Sequence, residues 1–89
     1  MKLLLCKECT DVIRLFEDLR RCKCGHTFGK YLDNLNAVYW GGSAVPLGFD
    51  NGDLLEAVRR QPEEGQGRAF RAFVIPKNCP TMKKGEADE

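Results

Sequence analysis

The chain has 89 residues, 43% hydrophobic and 30% charged, with a formal net charge of +1. This composition is too apolar for a disordered chain and lacks the basic excess of a protein that coats nucleic acid, so it suits one ordinary soluble domain. No run approaches the roughly 20 apolar residues of a membrane span, and Met1 to Leu5 falls short of the roughly 7 to 15 apolar residues of a signal core; the expectation is a cytoplasmic protein with reduced thiols.

In chain order, Lys2 to Leu5 reads as a short strand running into Cys6-Lys7-Glu8-Cys9, and Asp11 to Leu15 reads as a strand running out. Phe16 to Leu19 is a turn or a single helical turn. Arg20-Arg21 then leads into Cys22-Lys23-Cys24-Gly25, and Thr27 to Leu32 leads out. The pattern is two hairpins whose turns each carry a close cysteine pair, with twelve residues between the pairs.

Two close thiol pairs in a reducing compartment point to one structural Zn2+ held by Cys6, Cys9, Cys22 and Cys24, because soft thiolates in a tetrahedral set suit zinc and supply folding energy directly. Gly25 fits the positive-φ position that such turns often need. The second pair has one intervening residue instead of two, which leaves His26 as an alternative fourth ligand in place of Cys22 or Cys24. Residues 1 to 30 hold Lys2, Lys7, Arg14, Arg20, Arg21, Lys23 and Lys30 against Glu8, Asp11, Glu17 and Asp18. That surplus offsets the double negative charge of a zinc ion with four thiolates.

With these four ligands the sequence resembles the zinc-ribbon or rubredoxin-like class over residues 1–32. The resemblance implies two metal-binding hairpin knuckles and a role in binding nucleic acids, polymerases or other proteins; some members carry iron, typically with two residues inside both pairs. A closed four-cysteine shell leaves no position for a catalytic water. His26 is the single histidine and Ser43 the single serine, and Cys79 beside Pro80 reads as a small buried hydrophobe, so no enzyme activity is expected.

Beyond residue 32, Asn34 and Asn36 mark a turn before a strand at Ala37 to Trp40, closed by Gly41-Gly42. Ala44 to Phe49 is extended, with Pro46 expected at an edge or a bulge. A short helix is predicted over Asp53 to Arg60, packing Leu54, Leu55 and Val58 on the sheet, with Pro62 limiting it. Glu63 to Gly67 is a loop, Ala69 to Ile75 a buried strand, and Thr81 to Glu89 a frayed tail.

These readings assemble into an α+β fold. A zinc ribbon over residues 1–32 joins a small antiparallel sheet with one short helix over residues 33–80, the two sharing one core, and a flexible tail spans residues 81–89. The expected function is a non-enzymatic adaptor or regulator that binds another protein, with Tyr39 and Trp40 as its anchor. The alternative is a nucleic-acid binder using Lys7, Arg20, Arg21, Lys23 and Lys30. Neither a membrane nor a small-molecule substrate is expected as partner.

Overall fold

The computed structural model describes residues 1–85. It is α+β: eight strands, β1 (Lys2–Cys6), β2 (Val12–Arg14), β3 (Arg20–Arg21), β4 (Phe28–Tyr31), β5 (Ala37–Trp40), β6 (Ala44–Phe49), β7 (Ala72–Val74) and β8 (Met82–Lys84), with one helix, α1 (Asn51–Arg59), between β6 and β7. The strands form two four-stranded sheets, ordered β2-β1-β6-β7 and β3-β4-β5-β8.

Both cysteine-bearing hairpins form as the sequence predicts, β1 with β2 and β3 with β4. They do not stand together as a separate N-terminal sheet. Each is one half of a different sheet, completed by strands from later in the chain. β6 pairs with β1 from Lys2↔Gly48 to Cys6↔Ala44, and β5 pairs with β4 from Phe28↔Trp40 to Tyr31↔Ala37. The expected small antiparallel sheet over residues 33–80 is therefore distributed between the two, and β5 also pairs in parallel with β8, which lies beyond that span.

Strand alternation explains how the sheets meet, since residues opposite one another share a face. Leu4, Cys6, Ile13 and Pro46 line the inner face of the first sheet; Gly29, Tyr31, Ala37, Tyr39 and Met82 line that of the second. Leu4, Leu15, Ala37, Tyr39, Ile75 and Met82 form the buried cluster, with Ile13, Tyr31, Ala44 and Cys79 packed around it, so residues before and after position 32 share it. Gly29 permits this approach: a Cβ there would lie 2.8 Å from the Val38 carbonyl and 3.0 Å from Leu4 Cδ1.

Several local expectations are corrected. Met82–Lys84 is a strand with Met82 fully buried, not the start of a frayed tail, because Met82 fills the core opposite Ala37; residues 86–89 lie outside the described residues. Helix α1 begins two residues before the predicted Asp53, since Asp50 is its N-cap and accepts from the Asp53 N–H at 3.0 Å. Its face is turned from the one predicted. Asp53 accepts from the Arg71 N–H, and Leu54 and Ala57 are half-buried while Leu55 and Val58 are 57% and 60% exposed.

The expected buried strand over Ala69 to Ile75 is only Ala72–Val74, an edge strand exposed throughout, with Ile75 alone buried. Pro46 lies in an inner strand rather than at an edge. Its carbonyl accepts from the Ile75 N–H at 2.9 Å, so its missing N–H faces the same side, past the Leu47↔Val74 pair where the β7 ladder stops.

Candidate metal centre

The turns of the two hairpins converge at one end of the sheets. After β1 the chain folds back with Thr10 N–H donating to the Cys6 carbonyl at 2.8 Å and Cys6 N–H to the Asp11 carbonyl at 2.9 Å, and Thr10 takes a positive φ of 59°. After β3, Gly25 takes the positive φ of 83° that the sequence suggests, and its N–H donates to the Cys22 carbonyl at 3.0 Å. Asp11 ties the two turns together: its carboxylate accepts from the Lys23 N–H at 2.9 Å.

This brings together Cys6, Cys9, Cys22 and Cys24, whose sulfurs all lie within 4.8 Å of one another. The Cys6 and Cys24 sulfurs are 3.7 Å apart and those of Cys22 and Cys24 are 3.5 Å apart. A tetrahedron with Zn–S bonds of about 2.3 Å has edges of about 3.8 Å, so the four donors fit a metal ion in number, chemistry and spacing. All five cysteines are free thiols. His26 is not one of the four-sulfur set. It lies with Glu8 beside Cys24, and its Nδ1 is 3.3 Å from Glu8 Oε2.

The protein prepares these sulfurs unequally. Cys6 is held down to about 6, chiefly by the Thr27 hydroxyl and the Cys9 N–H, with burial opposing. Thr27 Oγ1 is buried yet closes no well-aligned hydrogen bond, so the Cys6 sulfur is the acceptor it awaits. Burial pushes Cys22 up, but the Thr27 N–H and the neighbouring sulfurs outweigh it and its thiol is lowered. The His26 N–H pulls Cys24 down, against burial and the adjacent sulfurs, which together drive it up to about 12. The two lowered thiols are thus the buried ones, and the raised one is exposed Cys24.

The other candidate residues do not share one surface. Tyr39 is 5% exposed in the core and offers no anchor to a partner. Trp40, its neighbour on β5, faces the opposite side and stacks on Phe28, with ring centroids 5.3 Å apart and planes at 18°. Among the basic residues, Lys7 and Lys23 lie in the cysteine turns, while Arg21 and Lys30 face outward from the second sheet beside Phe28 and Trp40. Arg20 turns the other way, 4.3 Å from the Phe16 ring centroid, with Arg14 at 4.7 Å. Cys79 sits apart from His26, its sulfur 3.5 Å from Thr81 Oγ1.

Sequence reasoning missed Asp11 and Thr27, both of which act on the cysteine turns. Asp11 directly follows the positive-φ Thr10, and Thr27 alternates with Phe28 at the start of β4; either offers a signal only once the hairpins are paired. The site defines a small α+β protein with a four-cysteine cluster suited to a metal ion. Set against models of protein families, curated proteins and solved structures, the chain has no match in any of the three. Among the described residues no helix is long and apolar enough to cross a membrane.

Proposed function

We propose that this chain is a non-enzymatic protein-binding adaptor, whose two cysteine hairpins form a zinc ribbon around one structural Zn2+. The metal holds the hairpin ends of the two sheets together, and so fixes the surfaces that the sheets present. Four thiolates complete its coordination, so its contribution is folding energy rather than a reactive water.

The observation that carries the adaptor reading is the outer face of the first sheet. Across it, Val12, Leu5 and Val45 stand opposite one another on three strands, and Leu3, Leu47 and Val74 form the next row, with Arg14 at its end on β2. A sheet apolar on both faces is expected to be covered on both. Phe70 packs edge-on against Phe49 at the far end, with centroids 5.3 Å apart, yet Val12 and Val74 remain 47% and 65% exposed. Such a face suits an apolar protein partner, with the unpaired edge of β7 beside it.

The test is retention of a partner from the native host on immobilised zinc-loaded protein, in the presence of nuclease. A stoichiometric protein held by the wild type and released by Val12→Asp with Val74→Asp supports the reading, provided that the variant keeps its zinc and its melting temperature. Equal retention by the variant, or no retained protein, sinks it.

A further inference from the structure

We infer that the protein binds a second Zn2+ ion outside the four-cysteine cluster, on Glu8, Cys24 and His26, with the Cys24 sulfur bridging the two ions. This site goes beyond the adaptor reading, and it rests on the first zinc of that reading only through Cys24, which the two ions share.

The two cysteine turns build the site from both sides. Glu8 lies between Cys6 and Cys9 in the first turn, and Cys24-Gly25-His26 closes the second. The Lys23 N–H, donating to the Asp11 carboxylate at 2.9 Å, holds one turn against the other. A carboxylate oxygen, a sulfur and an imidazole nitrogen thereby come within 4.8 Å of one another, on three residues that are all exposed.

Distance favours a metal over a simple ion pair. His26 Nδ1 is 3.3 Å from Glu8 Oε2. A charge-assisted hydrogen bond would draw them to about 2.7–2.9 Å. Nitrogen and oxygen ligands at about 2.0–2.1 Å from a tetrahedral ion stand about 3.4 Å apart, which is close to the separation observed.

Charge points the same way. In the loaded cluster Cys24 is a thiolate, and neither it nor the Glu8 carboxylate has a proton to donate to the other. Two such groups in one small cluster repel unless a cation joins them. A thiolate bound to one ion keeps lone pairs for another, and a second divalent ion offsets the double negative charge of zinc with four thiolates. Lys7 and Lys23 lie in the same turns, but both are exposed, so water and salt screen their repulsion. The donor set selects the ion, because nitrogen and sulfur suit zinc whereas Mg2+ and Ca2+ take oxygen. Three protein donors leave a position for water, so this second ion exchanges with solvent while the first is enclosed.

The test counts ions. The untagged full chain, loaded with one Zn2+ and desalted, is titrated with Zn2+ alone by calorimetry and by equilibrium dialysis with elemental analysis. One further ion per chain is expected. Glu8→Gln and His26→Gln should each weaken it about a hundredfold or more, since losing a group that merely supports a ligand already costs about 10–100-fold. Both variants should keep the first ion and the melting temperature of the one-zinc wild type, because these side chains are 50% and 70% exposed. Replacing both ions with an NMR-active cadmium isotope tests the bridge, and two resonances coupled through the Cys24 sulfur are expected. Saturation of the wild type at one ion overturns the inference and leaves the four-cysteine site standing; no bound ion in any protein overturns both. Loss of the first ion in His26→Gln also overturns it, by making His26 a ligand of the cluster itself. So does a second ion held at full affinity by both variants, or a pair of cadmium resonances without coupling.

Discussion

Cys22 and Thr27 are joined twice: the Cys22 N–H donates to the Thr27 carbonyl at 2.9 Å, and the Thr27 N–H donates back to the Cys22 sulfur at 3.4 Å. The same threonine turns its hydroxyl toward Cys6, on the other hairpin, so one buried side chain serves a sulfur from each sheet. Thr27→Val removes the hydroxyl at nearly constant volume and leaves the backbone bonds to Cys22. In the metal-free protein the Cys6 thiol, held near 6, should then rise toward the ordinary thiol value of about 8.5. A depressed thiol pKa favours thiolate above it, so at pH 7 the variant should lose thiolate. Ultraviolet thiolate absorbance against pH checks this; an unchanged titration would remove Thr27 from the account.

Replacing a sulfur by a weaker oxygen donor should separate the metal site from the remaining cysteine. Cys9→Ser and Cys22→Ser are each expected to lower zinc content well below one ion per chain, and to lower the melting temperature by an amount that chelation of the wild type reproduces. Cys79→Ser should leave zinc content unchanged, because its sulfur is paired with Thr81 and lies outside the cluster. Elemental analysis with thermal melts decides the matter. Zinc retained at full stoichiometry in Cys9→Ser would show that the cluster is not the metal site.

The four-cysteine cluster was legible in the sequence because the spacing within a pair is a local property: each pair lies within one turn, and Gly25 marks the backbone of the second. The hairpin strands were legible for the same reason. Their division between two sheets was not, since it depends on Lys2 meeting Gly48 and Tyr31 meeting Ala37 from different directions. β8 escaped notice because Met82-Lys83-Lys84 has no alternation long enough to count, and its burial follows from the parallel pairing with β5. Leu55 and Val58 misled because an apolar stripe gives the width of a helix face but not its direction. Asp53, which holds the Arg71 N–H, turns Leu54 and Ala57 inward instead.

The burial of Met82 makes the last described strand part of the core. Met82→Ala should destabilise the protein by about 2–5 kcal/mol, a large fraction of the stability of a domain this size. Lys83→Ala, next to it and exposed, should stay within about 0.5 kcal/mol of the wild type. Chemical denaturation of the zinc-loaded proteins gives both values. Similar stabilities for the two variants would return this segment to the status of a tail.

Asp33 gives the hairpin of β4 and β5 a pH dependence of known sign. Its carboxylate accepts from the Asn36 side chain at 2.9 and 3.2 Å and from the Asn36 and Leu35 N–H groups at 2.7 and 2.8 Å, which together hold it down to about 2. A depressed carboxylate stabilises the fold above the ordinary value near 4 and loses that contribution as pH falls through about 2. Asp33→Asn should therefore melt below the wild type at pH 7, with the gap constant down to about pH 4 and shrinking beneath it. Comparing the two proteins at each pH cancels any acid effect on the cysteine cluster, which both share. A gap that widened on acidification would reverse the assignment.

Gly41, in the connection from β5 to β6, bears on the second cysteine turn. It has a φ of 122°, and a Cβ there would lie 2.5 Å from the His26 carbonyl oxygen and 3.2 Å from Thr27 Cα. Both neighbours are backbone, in the segment that joins Cys24 to β4, so the obstruction cannot be relieved by a side-chain rotation. Gly41→Ala should cost about 1–3 kcal/mol through backbone strain alone, more with the steric conflict, and should displace the His26–Thr27 backbone that donates to Cys22 and Cys24. Gly42, adjacent in sequence, faces open space, and Gly42→Ala should be nearly neutral. Zinc release to a chromophoric chelator separates the two: faster release from Gly41→Ala alone is expected, because the strain acts on the second cysteine turn. Equal rates for the two variants would mean that this contact supports the fold without reaching the metal.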